Sequence, residues 1–260
     1  MINNLKNFSF IVSTYNNNLP ALEIFEINAK KFLTFDNQIK KYLICEDYYQ
    51  PKNKSYFDMI LTNNPGKNWA DQILESIKKI KTKYIIYCLE DFIFYKNVDI
   101  KLLNYYLNWS FVNDVNYLRL MPKPIGFIKV ENNIFNLDKY ALYKSSLFFT
   151  VWNRQLFIDL LKRFKNPWEF EIKGTKYVRN YDKFYTINKK FIFIRHLVAK
   201  GCWINKNLNR LNVDQRIISQ KKRLNFTTEI KWRIKKNLLK LFEMIPDNLI
   251  KYKLYYFFKK

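Results

Sequence analysis

Two adjacent carboxylates, Glu90 and Asp91, close the apolar run Tyr84–Leu89. Acids set side by side at the end of a buried strand are costly unless each is paired or shares a cation. Hard oxygen ligands of this kind suit Mg²⁺ or Mn²⁺ bridging a diphosphate, which makes Glu90 and Asp91 the candidate metal ligands. Three other polar groups follow apolar runs in the same way: Thr14 with Tyr15, Glu46 with Asp47, and residues 63–67, which begin at Asn63. Arg154 and Arg179 offer guanidinium forks that match phosphate oxygens and could replace a metal in neutralising a diphosphate. The single histidine, His196, follows Arg195 and an apolar stretch, a setting for metal ligation or diphosphate contact. Two more acids, Glu169 and Glu171, flank Phe170 beside Pro167 and Trp168. Neither a GxGxxG nor a Walker-type loop occurs among the four glycines, which excludes the ordinary dinucleotide and P-loop phosphate cradles. Cys45, Cys88 and Cys202 are odd in number and lack metal-ligand spacing, as expected of reduced thiols in a cytosolic compartment.

For these groups to meet, strands must deliver them to one edge of a sheet. The first half of the chain alternates strand-like and helix-like segments, the pattern of a mostly parallel sheet covered by helices. Strands are expected at Phe8–Ser13, 39–45, 57–61 and Tyr84–Leu89, the last nearly all apolar and therefore central. Asn18 and Pro20 read as the cap and first turn of a helix reaching residue 35, and a second, amphipathic helix is expected over 69–81. Ligands of open α/β sheets lie beyond the carboxyl ends of the strands, so Thr14, Tyr15, Glu46, Asp47, Asn63, Glu90 and Asp91 should share one rim. Past Asp99 the pattern loosens into a helix to about residue 113, a strand over 117–121, a Pro-rich turn at 122–126 and antiparallel strands near 127–130 and 140–150. A helix over 153–164, a loop over 166–174 and a short strand at 190–194 follow. The predicted class is α/β, a Rossmann-type mixed sheet flanked by helices over residues 1–228, with a basic aromatic helical tail over 229–260.

The 260 residues, 48% of them apolar and 18% aromatic, suffice for a substantial core. No leader pattern opens the chain, so no secretion is expected. Every apolar run falls far short of the roughly 20 residues a membrane-spanning helix needs. Lys and Arg number 46 against 22 Asp and Glu, a net +24, and residues 189–260 hold 19 against 4. A surplus concentrated there suits polyanions such as nucleic acid, anionic lipid or phosphorylated substrates. In the tail, Trp232, Leu238, Leu239, Phe242 and Ile245 are expected on one side of a basic helix, which suits the interface of an anionic bilayer.

The run FSFIVSTYN at 8–16 resembles the first strand of the GT-A glycosyltransferases, family-2-like bacterial enzymes of surface-polysaccharide biosynthesis. The segments NWADQILE at 68–75 and YIIYCLEDF at 84–92 look like the helix and strand that deliver that family's acidic DxD motif, although Leu89-Glu90-Asp91 departs from a strict DxD. The resemblance extends over residues 8–175, through SLFFTVWNR at 146–154 and NPWEFE at 166–171, which look like acceptor-side segments.

The resemblance implies a GT-A-like fold and an enzyme that moves one sugar from a nucleotide-sugar donor to a lipopolysaccharide, capsule or lipid-linked glycan acceptor, with inversion, at the inner face of the cytoplasmic membrane. The QxxRW motif of processive members is missing, which favours single transfer over polymerisation. Under that reading Thr14, Tyr15 and Asp47 serve the nucleotide, Glu90 and Asp91 a cation or the donor ribose, and Glu169 or Glu171 takes the acceptor proton. Glu171 is preferred as a loop carboxylate beside aromatic rings, with Trp168 stacking on a sugar face. Two rivals remain. A nucleic-acid-binding protein would use the basic aromatic C-terminal region, but no zinc ligand set, RNP-like strand or basic zipper is present and the acidic rim would repel a backbone. A nucleotidyltransferase would show a Gly-rich basic loop after the first strand, and residues 13–18 contain neither Gly nor Lys.

Overall fold

The computed structural model describes residues 4–47, 49–51, 54–63, 66–122, 125–245 and 248–257. Asn64 and Pro65 of one expected turn, Lys123 and Pro124 of the other, and the final three residues lie outside the described residues. In chain order the elements are β1 (Phe8–Ser13), α1 (Leu19–Phe32), β2 (Lys40–Cys45), β3 (Met59–Thr62), α2 (Trp69–Lys79), β4 (Tyr84–Leu89), β5 (Phe92–Phe94), α3 (Ile100–Val112), β6 (Tyr117–Arg119), β7 (Ile128–Glu131) and β8 (Ile134–Asn136). There follow β9 (Thr150–Asn153), α4 (Arg154–Leu161), α5 (Pro167–Tyr177), β10 (Phe184–Ile187), β11 (Ile194–His196), β12 (Val198–Ala199), β13 (Cys202–Trp203), α6 (Asn205–Leu208), α7 (Gln215–Ile218), α8 (Phe226–Met244) and α9 (Leu249–Phe257).

Nine strands form one mixed sheet in the order β3-β2-β1-β4-β9-β6-β10-β8-β7. The first four are mutually parallel, with β1 central between β2 and β4. β9 runs antiparallel between β4 and β6, while β6 and β10 are parallel to each other. The carboxyl ends of β1, β2, β3, β4 and β6 therefore lie along one edge. All six residues of β1 are buried, as an apolar strand covered on both faces requires. Phe8, Phe10, Val12, Ile86 and Cys88 pack in a layer with Leu22, Phe25 and Leu103 of α1 and α3. Ile11, Ile85, Tyr87 and Trp152 face Ile73, Phe157 and Phe170 of α2, α4 and α5. Burying a single Phe, Leu or Ile fully is worth about 1.5–3 kcal/mol, so the two layers outweigh any local propensity.

Several expectations are corrected. Residues 166–174 form helix rather than loop: Asn166 Oδ1 caps the Glu169 amide at 2.9 Å and Pro167 opens the first turn. Residues 140–149 are turns instead of a strand, with Tyr143 and Phe149 at φ 52° and 46°, a conformation no ladder accepts. The apolar run misleads there because buried irregular chain and buried strand share a composition. β8 and β10 escaped the pattern reading, and the strand expected at 190–194 is displaced to β11.

Candidate active site at the carboxyl edge

β4 ends at Leu89 and hands Glu90 to the α1 side of the sheet, where only 3% of it is exposed. Asn18, at the start of α1, donates its Nδ2 to Glu90 Oε1. The amide thus leaves the capping position, and α1 begins without a side-chain cap bond, contrary to the expectation for Asn18. Burial first, and the Asp91 charge second, push the Glu90 carboxyl well above the ordinary carboxylate range. Asp91 Oδ2 lies 2.7 Å from His196 Nε2. That contact follows from the antiparallel pairing of β5 with β11, which sets His196 opposite Phe92, with the two rings stacked at 4.9 Å. The Leu197 amide donates to the Asp91 carbonyl at 2.8 Å and locks the crossing.

The other rim residues converge from β1 and β2. Thr14 continues the ladder through its amide to the Ile44 carbonyl, 2.9 Å, and is buried. The Tyr15 hydroxyl is raised by burial and by the charges of Glu90, Asp91 and Glu46, which puts all four groups within electrostatic reach. Asn16 ties the two acids after β2 together, its amide donating to Glu46 at 3.1 Å and its Nδ2 to Asp47 at 2.6 Å.

A cover grows over this edge from residues 197–224. The β12–β13 hairpin turns at Lys200 and Gly201, both with positive φ, and the Trp203 amide donates to the Lys222 carbonyl at 2.9 Å. Lys221 is thereby carried to the rim, where Nζ donates to the Asn17 carbonyl at 2.5 Å. Burial holds its ammonium below the usual lysine range, against the pull of Glu90. Tyr15, Asn17, Gly201, Cys202, Gln220, Lys221 and Lys222 line a cleft of about 490 Å³. A slightly larger cleft, about 570 Å³, lies near the amino ends of β2 and β3 beside Lys41 and Asp58, away from the acidic pair. The smaller one is the candidate site, because it is the one beside convergent polar groups with shifted ionisation.

No family profile matches the sequence, and no curated protein does. Among solved structures, the chain is similar to S. aureus TarS residues 1–349 in complex with UDP-GlcNAc, at 11% identity and TM-score 0.46 over 85% of this chain and 69% of that one. It is similar to the mannosyltransferase PcManGT from Pyrobaculum calidifontis in complex with GDP-Man and Mn²⁺, at 11% identity and TM-score 0.49 over 78% and 60%. A longer S. aureus TarS structure matches at 12% identity and TM-score 0.45 over 71% of this chain, which spans about a third (36%) of that one.

Other expected site residues serve the fold. Asn63 turns its amide into α2, donating to Ser76 Oγ at 3.0 Å. Arg154 sits at the amino end of β4: its amide donates to the Lys83 carbonyl at 2.9 Å and Asn153 pairs with Tyr84. A six-residue strand, about 20 Å at ~3.3 Å per residue, separates it from Glu90. Arg179 lies on the rings of Tyr140 and Tyr252, 4.3 and 5.3 Å from their centroids, and fastens α9 instead of a diphosphate. Glu169 accepts from the Lys165 amide at 3.1 Å and pairs with Lys173 at 2.6 Å, contacts that hold its carboxyl below the usual range and unsuit it as a base. Glu171 is helical, and its Oε1 accepts from the Leu147 amide at 2.8 Å and from Ser146 Oγ at 3.1 Å, pinning the turn that leads into β9. Trp168 is 70% exposed and Phe170 is buried, so the two rings do not wall a common pocket with Glu171. Lys221, in the basic run 221–223, and the Asn18 contact were not singled out from the sequence, because nothing local says which segment crosses the rim.

Proposed function

We propose that this chain is a nucleotide-sugar-dependent glycosyltransferase of GT-A-like architecture that moves one sugar, with inversion, to a glycan or glycolipid acceptor. The acceptor class we favour is lipopolysaccharide, capsule or a lipid-linked precursor, met at the inner face of the bacterial cytoplasmic membrane. One observation carries the reading: at the end of the buried central strand, Asp91 Oδ1 and Asn18 Oδ1 are buried acceptors with no hydrogen bond, beside Glu90 and a lysine-lined cleft. Buried acceptors left open ask for a donor or a cation.

A divalent cation, Mg²⁺ or Mn²⁺, fits these residues. Asp91 Oδ1 is an open hard ligand and Glu90 stands next to it, while no group of three His, Cys, Asp or Glu that could hold a metal occurs among the described residues. Asp91, with Glu90 beside it, would hold the cation. When bound, it supplies positive charge to the departing diphosphate. The chain's own residues do the rest. Thr14, Tyr15 and Asp47 hold the nucleoside, and Lys221 with Lys222 faces the diphosphate. His196, oriented by Asp91, accepts the proton as the acceptor oxygen bonds to the anomeric carbon and the sugar–phosphate bond breaks, the pair leaving on the diphosphate.

The test is a binding screen of UDP, GDP, CMP and dTDP, with and without Mn²⁺, on the protein and on a Glu90→Ala/Asp91→Ala variant. Selective binding that the variant loses is expected. Absence of binding by every nucleotide, together with tight salt-sensitive binding to RNA or DNA, overturns the reading in favour of a nucleic-acid-binding protein.

A further inference from the structure

Helix α8 is anchored on one side and bare on the other. On the anchored side Glu229 is buried and accepts from the Asn205 amide, the Asn205 Nδ2 and the Lys206 amide at 3.1, 2.9 and 3.1 Å. Trp232 packs against Ala199, Ile204 and Leu224, its ring 6.2 Å from His196. On the bare side Ile230, Ile234, Leu238 and Leu241, continued by Ile245 just past the helix, are 36, 55, 56, 62 and 46% exposed. At about 100° per residue these five fall within a sector of about 80°. The stripe shares Leu238 and Ile245 with the side expected from sequence but not Trp232, which faces the fold; the side chains of Leu239 and Phe242 lie outside the described ones.

We propose that this face of α8 docks on an anionic lipid bilayer, the aliphatic stripe at the acyl boundary and Lys231 and Arg233 on the headgroups. Charge selects the occupant. Residues 189–260 carry 19 Lys and Arg against 4 Asp and Glu, and one of those four, Glu229, is used up inside the fold. A second copy would bring the same positive helix against the first. The stripe's spacing of 4, 4, 3 and 4 residues also departs from the alternating 3 and 4 of a coiled-coil seam. Nucleic acid would leave the aliphatic side chains in water. An interfacial helix needs this combination, an apolar sector beside cations, and binds by apolar insertion plus charge attraction. Among the described residues no helix is long and apolar enough to cross a membrane, so α8 lies on the surface. Because the Trp232 ring at its root lies 6.2 Å from that of His196, docking brings the acidic rim close to the headgroups. The inference stands without the sugar-transfer reading.

The experiment is co-sedimentation of the full chain with phosphatidylcholine vesicles and with mixed phosphatidylcholine–phosphatidylglycerol vesicles, at low and high salt. Binding to the anionic vesicles alone, weakened by salt, is expected. Ile234→Gln/Leu238→Gln and, separately, Lys231→Glu/Arg233→Glu should each weaken it at least about tenfold. All four positions are exposed, and unchanged circular dichroism and thermal midpoint confirm folding; if the Gln pair unfolds, the charge-reversal pair decides. No preference for anionic vesicles, or binding unchanged in both variants, overturns the proposal. So does a concentration-dependent dimer in sedimentation that the Gln pair abolishes while vesicles bind nothing. Nucleotide binding measured on the same variants should not change, which separates failure of docking from failure of the transferase reading.

Discussion

Glu90 is the residue where burial and chemistry pull hardest against each other. Its carboxyl is raised by burial and by Asp91, so the folded protein holds a proton there that the unfolded chain releases. The favourable contribution is complete below the ordinary carboxylate pKa of about 4.3 and is lost as pH climbs through the raised folded value. In cation-free buffer the thermal midpoint should therefore decline as pH rises across this range. Glu90→Gln, which keeps the contact with Asn18 and cannot ionise, should flatten that decline; an identical slope in the variant would place the penalty elsewhere. Glu90 and Asp91 were legible as a pair from the sequence because they terminate an unbroken apolar run. The contact of Asp91 with His196, 105 residues away, was not, since no local periodicity encodes which strand pairs with β5.

At the scale of elements, α5 shows how a helix start can pass for a loop. Asn166, Pro167 and Trp168 carry turn composition, yet a capping Asn followed by Pro is also the opening of a helix, and Glu169 completes it by reaching back to the Lys165 amide. Once α5 is a helix, Glu171 becomes a strut between it and the 146–147 turn. Glu171→Ala should then cost about 1–3 kcal/mol by leaving the Leu147 amide unpaired. Glu171→Gln, which retains an acceptor oxygen, should cost less and leave any transferase activity largely intact. Urea unfolding of both variants beside wild type checks this; a Gln variant that is fully stable but inactive would return Glu171 to the role of base. The parallel half, β1 to β4, follows from its apolar runs and intervening helices. The second half does not, because short strands such as β6 and β10 are set by neighbours distant in sequence.

For the molecule as a whole, the decisive feature is the cover formed by residues 197–224. Trp203, fully buried, donates its side-chain Nε1 to the Ile218 carbonyl at 3.0 Å and its backbone amide to the Lys222 carbonyl, so a single residue ties the hairpin to the segment carrying Lys221. Trp203→Ala should cost about 3–5 kcal/mol. It should also speed hydrogen exchange across 215–224 more than across β1 to β4; uniform exchange would show that the cover is not a separate unit. The sequence alone determined the α/β class, the carboxyl-edge rim of Thr14, Tyr15, Asp47, Glu90 and Asp91, and the basic character of the last third, because those depend on local periodicity and on charge count. Only tertiary structure decided that Arg154 lies at the far end of β4 from Glu90, that Arg179 packs on tyrosine rings, that Glu169 and Glu171 support a helix, and that His196 and Lys221 reach the rim beside the acidic pair. Those outcomes turn on strand order and direction, which are properties of pairing between distant segments that no window of sequence contains.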